Sequence, residues 1–221
     1  SCAEVPGADG VHAVPLADGV GAWFTGATID GVEDANLAHH RPHVPERLAA
    51  ARDAVGRRTG TDPAAWHLMR QVHGSAVAVV DGAVPPGAEL RDVDAAVTVL
   101  PGRPLVVLAA DCLPLLVAGE RAVGVAHAGW RGVVADVAGA LVRALGGLGE
   151  PAASLRVVLG PTIGPCCYAV GDDVAAAVAD AAGTAEVRTR TRDGRPSVDL
   201  RAAVRAQLDA LGVGHVADGP D

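Results

Sequence analysis

Three residues with metal-binding or nucleophilic side chains occupy similar positions in this chain of 221 residues. His73 in RQVHG, Cys112 in AADCLP and His127 in VAHAGW each stand in or after an apolar run, with Gly or Pro nearby. Two imidazoles and one thiolate form a suitable ligand set for zinc, and a fourth tetrahedral position would stay open for water or substrate. The pattern therefore favours a catalytic metal site.

The same residues have simpler explanations, because they lie 39 and 15 residues apart and spacing alone does not bring them together. A histidine at a strand end is commonly a capped or core residue, and a lone cysteine in an apolar run is commonly core packing. A chemical alternative is a cysteine-dependent hydrolase, with Cys112 as the nucleophile and His127 or His73 as the base.

Two charged residues beside these ligands are candidates for the same site. Asp111, next to Cys112, can carry a proton or orient a ligand histidine, although a strand-end acid is equally often paired with an arginine. Arg131 in AHAGWRG stands at the start of a predicted helix, whose unpaired N–H groups favour an anion, so residues 129–132 form a candidate phosphate cradle. A solvated arginine at a helix start is the simpler alternative.

The composition excludes several functions. All 18 residues counted as Lys or Arg are arginine, which excludes a lysine Schiff base and the lysine of a phosphate-binding P-loop. The net charge of −8, without a basic block, argues against nucleic-acid binding. The sequence shows neither an apolar run of about 18 residues nor a signal-peptide pattern, so we expect a cytoplasmic protein without a membrane span.

Short apolar runs bounded by Gly or Pro predict strands that carry the candidate ligands. Buried strands are expected in 93–100 and 121–129, and two strands in 104–119 around a turn at Leu113-Pro114. The remaining predicted elements are a strand in 21–26, helices over 45–58, 133–149 and 198–212, a strand and loop in 155–171 before a helix entered near Asp172, and an edge strand in EVRTRTR. Because no long linker divides these elements, we expect a single α/β domain over residues 1–221.

Four motifs in the order RQVHG, ADCLPLL, AHAGWRG and GPTIGPCCYAVG resemble the laccase-domain, or YfiH-type, family. This family was long labelled multicopper polyphenol oxidase and is now described as purine nucleoside phosphorylases with adenosine deaminase activity. The motifs extend over roughly residues 66–175. Weaker similarity at ANLAHH and VDLRAAVRAQLDALGV extends the resemblance to most of the chain.

The resemblance implies an α/β domain with mixed β-sheets sandwiched between helices, and zinc bound by His73, Cys112 and His127. It also implies phosphorolysis of adenosine, inosine, guanosine and methylthioadenosine, and deamination of adenosine to inosine. The expected partners are purine nucleosides and inorganic phosphate. Within the matching motifs, the candidate substrate contacts are Asn36, Gln71 and Arg131, and the candidate catalytic residues are Asp111 and the three metal ligands.

The older oxidase label is hard to reconcile with the histidines of this chain. A multicopper oxidase commonly supplies its ligands through repeated His-x-His pairs, and none occurs among these eight histidines. Multicopper chemistry is therefore not expected, and zinc is the expected cofactor. A single copper ion is the alternative, because it would also suit the softness of a His-Cys-His ligand set.

The chain departs from the family pattern in three places. Its FTGATIDGVED replaces the usual F-[ST]-T-R-x-G-G-V-S and lacks the arginine, and Ala169 follows Tyr168 where the family commonly has Glu. The sequence ends at GHVADGPD, without the usual C-terminal Cys-Thr and Ser-Tyr-Arg-Arg segment, as expected of a short or truncated domain. A degenerate member that keeps the fold without activity is therefore a further alternative.

Overall fold

A computed structural model describes residues 10–32, 35–39 and 42–220. The helices within these ranges are α1 (Pro45–Thr59), α2 (Trp130–Val134), α3 (Val137–Gly147), α4 (Asp172–Ala182) and α5 (Leu200–Ala210). The strands within the same ranges are β1 (Val11–Ala13), β2 (Trp23–Thr25), β3 (His67–Arg70), β4 (Val77–Val79), β5 (Leu90–Arg91), β6 (Ala95–Thr98), β7 (Leu105–Val106), β8 (Leu113–Ala118), β9 (Val123–Ala128), β10 (Arg156–Leu159), β11 (Arg188–Arg190), β12 (Pro196–Val198) and β13 (His215–Asp218).

The central sheet has six strands in the order β13-β10-β8-β9-β6-β4. Its outer pairs, β13 with β10 and β4 with β6, are parallel, and its inner pairs are antiparallel. Three smaller sheets accompany it: β5-β3-β7, β1-β2 and β11-β12. The predicted mixed α/β architecture is therefore confirmed.

The central sheet is buried on both faces, which explains why its strands are continuous apolar runs. Side chains of a strand alternate between faces, and Leu115 and Val117 of β8 accordingly pack in one cluster while Leu116 and Ala118 pack in the other. Helices α3, α4 and α5 cover the first face. The β1-β2 and β5-β3-β7 sheets cover the second face.

Helix α1 forms an outer layer beyond these smaller sheets. Ala54 and Val55 of this helix pack against Trp66, just before β3, and Leu68 within it. Met69 of the same strand instead packs in the cluster beside the central sheet. The sheets thus lie between α1 on one side and α3, α4 and α5 on the other, as the family resemblance implies.

The helix predicted over 133–149 is interrupted. Helix α2 ends at Val134 and α3 begins at Val137, because Asp136 adopts a left-handed backbone with φ of 60°. Its carboxylate then accepts a hydrogen bond from the N–H of Gly139 at 3.1 Å and caps the new helix. The 3.6-residue periodicity continued across this break, so the pattern concealed it.

The turn predicted at Leu113-Pro114 is also wrong, because both residues begin β8. Pro114 lies opposite His127 in the ladder with β9, whereas the pairing of β8 with β10 starts only at Leu115. A proline lacks the N–H needed between two strands, and this position has a strand neighbour on one side only. The chain bends earlier, at residues 110–112, between β7 and β8.

The described residues include no helix that is both long and apolar enough to pass through a lipid bilayer.

Candidate metal centre

The three predicted ligands meet in space. His73, Cys112 and His127 each offer one ligand atom, and these atoms all lie within 4.8 Å of one another. The rings of His73 and His127 are nearly perpendicular, at 81°, with centroids 4.8 Å apart. Among the residues that the structure describes, no other group of three or more His, Cys, Asp or Glu side chains is arranged to hold a metal ion.

The β8–β9 hairpin brings two of these ligands together. Leu113 at the start of β8 pairs with Ala128 at the end of β9, so Cys112 and Gly129 face each other one position further out. His127 is buried within β9. A separation of 15 residues in sequence is thus closed by the antiparallel register.

Gly129 leaves the space that the ligands occupy. A Cβ built at this position would lie 2.8 Å from the sulfur of Cys112 and 3.0 Å from Cδ2 of His73. Both distances are far below van der Waals contact. Gly129 is therefore required because Cys112 and His73 both approach its backbone closely.

His73 reaches the site from the turn that follows β3. Its backbone has φ of 62°, in the left-handed region that residues other than glycine seldom adopt. The N–H groups of Val72, His73 and Gly74 all donate to the carboxylate of Asp94, at 3.1, 2.9 and 2.7 Å. The side chain of Asp94 therefore accepts hydrogen bonds from three consecutive N–H groups of this turn.

Asp94 also contacts the second histidine. Its Oδ1 lies 2.9 Å from Nδ1 of His127, and its backbone carbonyl accepts the N–H of His127 at 2.7 Å. The Asp94 side chain is fully buried. Asp94 was not among the predicted site residues, and Asp111 was the predicted candidate for an acid that orients a ligand.

The charges in this cluster influence one another. Burial alone would raise the pKa of Asp94, but hydrogen bonds from His127 and from the three backbone N–H groups outweigh it and lower that pKa. Burial likewise opposes protonation of His127, yet Asp94 and Cys112 together raise its pKa to about 9. The metal-free site thus favours the protonated form of His127, hydrogen-bonded between the carboxylate of Asp94 and the sulfur of Cys112.

Tyr168 lies within electrostatic reach of Cys112, Asp111 and Arg131. Burial raises the pKa of Tyr168, and the charges of Cys112 and Asp111 add to this effect while Arg131 opposes it. The loop is anchored on the backbone carbonyl of Asp111, which accepts hydrogen bonds from Ile163 N–H and the Thr162 hydroxyl. Tyr168 was not among the predicted site residues.

Arg131 lies beside the cluster at the start of α2. Its guanidinium carbon is 4.3 Å from the centre of the Trp130 ring, which fits a cation–π contact. Helix α2 has only five residues, so the predicted contribution of a helix dipole to anion binding is small. The charge available to an anion here is that of the Arg131 side chain.

The remaining predicted substrate contacts have other partners. The amide of Gln71 donates to the carbonyl of Leu108 at 2.7 Å and accepts its N–H at 2.9 Å, which ties the end of β3 to the chain beyond β7. Asn36 is exposed, and its side-chain oxygen accepts the N–H of Ala38 at 2.8 Å. Substrate binding by either residue stays a prediction.

Residues 24–220 match the family model described as multi-copper polyphenol oxidoreductase laccase. The chain belongs to this family. The resemblance inferred from the four motifs is thereby confirmed.

Proteins similar to this chain carry names that indicate activity on nucleosides. A Streptomyces griseus protein named purine nucleoside phosphorylase ORF3 is 44% identical over 172 residues, which cover 76% of this chain and 69% of that protein. A protein named adenosine deaminase RL5, from an unknown prokaryotic organism, is 36% identical over 177 residues, covering 76% of this chain and 68% of that protein.

The fold of the laccase family is known from crystal structures. That of the Neisseria meningitidis protein NMB0706 is 30% identical to this chain, with a TM-score of 0.75, and the match covers 95% of this chain and 86% of that one. The predicted single-domain arrangement of mixed sheets and helices agrees with this similarity.

The ligand set itself fits one metal ion of intermediate softness. Two imidazole nitrogens and a thiolate suit zinc, and they also suit copper. Since the described residues contain a single such cluster, they do not provide for the several copper ions implied by the family's descriptive title.

Proposed function

We propose that this protein is a zinc-dependent purine nucleoside phosphorylase that also deaminates adenosine. The convergence of His73, Cys112 and His127, with their ligand atoms within 4.8 Å of one another, carries the proposal. The names of the similar proteins supply the substrate class, purine nucleosides. Phosphate is a part of the proposal that rests on the family resemblance, and zinc rests on that resemblance and on the ligand set. The proposed cytoplasmic location rests on the sequence pattern.

His73, Cys112 and His127 would hold the metal through two nitrogens and one sulfur. Zinc bound by three protein ligands supplies Lewis acidity at its remaining position. The half-exposed Cys112 and exposed His73 lie on the solvent side of the cluster, whereas His127 is buried. A substrate can therefore approach the cluster from the solvent side of His73 and Cys112.

Arg131 is the proposed phosphate contact. In phosphorolysis an oxygen of inorganic phosphate forms a bond to C1′ of the ribose, the bond from C1′ to the purine nitrogen breaks, and the departing base gains a proton. The Arg131 guanidinium can hold the phosphate by two parallel hydrogen bonds, and Asp111 is the proposed proton carrier. Both side chains influence Tyr168 electrostatically, which supports a shared neighbourhood.

Deamination would use the same site for a different bond. Water replaces the amino group at C6 of adenosine, and ammonia leaves. Asp111 is again the candidate proton carrier, because it is exposed beside Cys112. Asn36 and Gln71 are retained as proposed substrate contacts on their motif positions alone.

A cysteine-dependent hydrolase is a second candidate, favoured by one specific observation. His127 contacts both Cys112 and Asp94, which reproduces the nucleophile–base–acid order of hydrolytic triads. Such an enzyme would need no metal. Activity that survives chelation but not thiol alkylation would support this candidate.

The proposed function is tested by release of free purine from adenosine and inosine, with and without phosphate. Zinc-loaded wild type should release base only with phosphate, whereas Cys112→Ala should fall to background because one of three metal ligands is lost. Cys167→Ala is the matched control, since Cys167 is an exposed free thiol. It should retain full activity.

The other outcomes separate the alternatives. Release of ammonia from adenosine without base release would limit the function to deamination. Oxidation of a phenolic substrate by the copper-loaded protein alone would favour the oxidase. Stoichiometric zinc without turnover of any of these substrates would contradict the proposal and favour a degenerate member.

A further inference from the structure

We propose that Asp94 is the positioning residue of the metal centre, because one buried carboxylate fixes both histidine ligands. It would hold the ring of His127 so that Nε2 faces the metal, and it would hold the turn that presents His73. This inference rests on the metal-binding part of the proposed function and not on its substrate.

The hydrogen-bond donors around Asp94 determine which nitrogen of His127 is available. Its Oδ1 receives the N–H of His73, and its Oδ2 receives the N–H groups of Val72 and Gly74. Both oxygens therefore act as acceptors, so Nδ1 of His127, 2.9 Å from Oδ1, must carry the hydrogen. Nε2 is then the nitrogen that can give up its proton and offer a lone pair to a metal ion.

The position of the His127 ring is fixed through the backbone as well. Its own N–H donates to the carbonyl of Asp94 at 2.7 Å, so the two residues are joined at two points. His127 is 4% exposed and lies in a buried strand. Loss of the side-chain contact would leave the strand in place but free the ring to rotate.

The contribution to His73 acts through the turn. Three consecutive N–H groups converge on one carboxylate, an arrangement that binds anions in other proteins. This capture compensates the left-handed backbone of His73, with φ of 62°. A neutral side chain at position 94 would weaken all three hydrogen bonds and let the turn relax away from Cys112.

The principal experiment compares zinc binding by wild type, Asp94→Asn and Asp92→Asn. Asparagine has nearly the same size as aspartate, but its NH₂ group would face the N–H donors that the carboxylate of Asp94 accepts. We expect zinc affinity, measured by competition with a chromophoric chelator, to fall about 10- to 100-fold in Asp94→Asn. Asp92→Asn should match wild type, because Asp92 is exposed, pairs with Arg70 and lies only two residues away.

A spectroscopic readout distinguishes positioning from a merely structural role. With cobalt in place of zinc, and at a temperature at which both metal-free proteins are fully folded, Asp94→Asn should shift the visible bands and the thiolate charge-transfer band. Its metal-free melting temperature should fall, because a buried side chain that accepts backbone N–H groups is partly replaced by a donor. Unchanged affinity and an unchanged cobalt spectrum would overturn the inference. So would a loss of affinity that only follows a loss of folded protein.

A second measurement on wild type keeps the inference testable if Asp94→Asn does not fold. In protein labelled with ¹⁵N-histidine and loaded with ¹¹³Cd, the metal should couple to Nε2 of His127, while Nδ1 remains protonated. Coupling to Nδ1 would overturn the inference. If wild type binds no metal, the metal-dependent function fails together with it, whereas equal binding by wild type and Asp94→Asn removes only the role of Asp94.

Discussion

Gly129 occupies the narrowest point of the metal centre. A methyl group there would lie 2.8 Å from the sulfur of Cys112 and 3.0 Å from the ring of His73. Overpacking of this kind costs about 1–3 kcal/mol, so Gly129→Ala should weaken zinc binding about 10- to 100-fold, since about 1.4 kcal/mol corresponds to tenfold. Competition with a chelator measures this change.

Gly146→Ala provides the control for this substitution. Gly146 lies in α3, where a Cβ would meet nothing within 4 Å. Because alanine favours a helix more than glycine does, this variant should be at least as stable as wild type and bind zinc equally well. Equal zinc affinity in both alanine variants would contradict the steric role of Gly129.

At the level of single residues, the three metal ligands were predictable from the sequence, but Asp94, which positions two of them, was not. His73, Cys112 and His127 could be selected because their chemistry and their Gly or Pro neighbours are visible in the sequence. Asp94 in DVDAAVTVL and Asp111 in AADCLP look alike, as each is an acid beside an apolar run. Only the turn at 72–74, folded onto Asp94, distinguishes them, and that contact is not local.

The turn joining β8 to β9 is secured by a carboxylate from another part of the chain. Buried Glu150 accepts the N–H groups of Glu120, Arg121 and Ala122 at 2.8, 2.8 and 3.0 Å. We expect Glu150→Gln to lower the free energy of unfolding by about 1–3 kcal/mol at neutral pH, because its NH₂ group would face a backbone donor. Chemical denaturation measures the difference.

The effect of Glu150 should depend on pH. Burial would raise the pKa of Glu150, but its three N–H donors outweigh burial and lower it. Its stabilisation is therefore complete above the unfolded pKa of about 4.3 and is lost as the pH falls through the lower folded value. The gap between wild type and Glu150→Gln should narrow on acidification below about pH 4. Glu120→Gln, at an exposed position of the same turn, should show no such gap.

Most elements followed from local patterns, and the exceptions have identifiable causes. Helices α1 and α5 begin and end within two residues of the predicted bounds, because Pro45 and the glycines that follow each helix mark them. Helix α4 begins at Asp172, as predicted. The break between α2 and α3 depends on one Asp136 backbone angle. Pro114 is tolerated in β8 because β10 begins to pair only at the next residue. The local sequence contains no information about that pairing.

At the scale of the whole molecule, metal binding should contribute to stability. A ligand at about 100 times its dissociation constant stabilises a folded protein by about 2.7 kcal/mol, which corresponds to a rise in Tm of about 5–10 °C for a chain of this length. Excess zinc should therefore raise the Tm of wild type, and a chelator should reverse the rise. Scanning fluorimetry of the tryptophans can follow both changes.

Two variants make this thermal test specific. Cys112→Ala should lose most of the zinc-dependent rise, whereas Cys167→Ala should keep it. A rise of equal size in both variants would place the zinc elsewhere.

The layered architecture was predictable from the family resemblance. The meeting of the segments around residues 73, 112 and 127 was not predictable in the same way, because it depends on the register of the central sheet.

The two ends of the β8–β9 hairpin should differ in how well they tolerate changes in chain length. Its turn, held by Glu150, lies at the opposite end from Cys112 and Gly129. Insertions at residues 119–122 would lengthen the hairpin away from the site and leave the register intact, at a cost in stability alone. A single residue inserted within either strand would turn every following side chain to the other face. Length polymorphism among related chains should therefore accumulate at the turn and be purged from the strands.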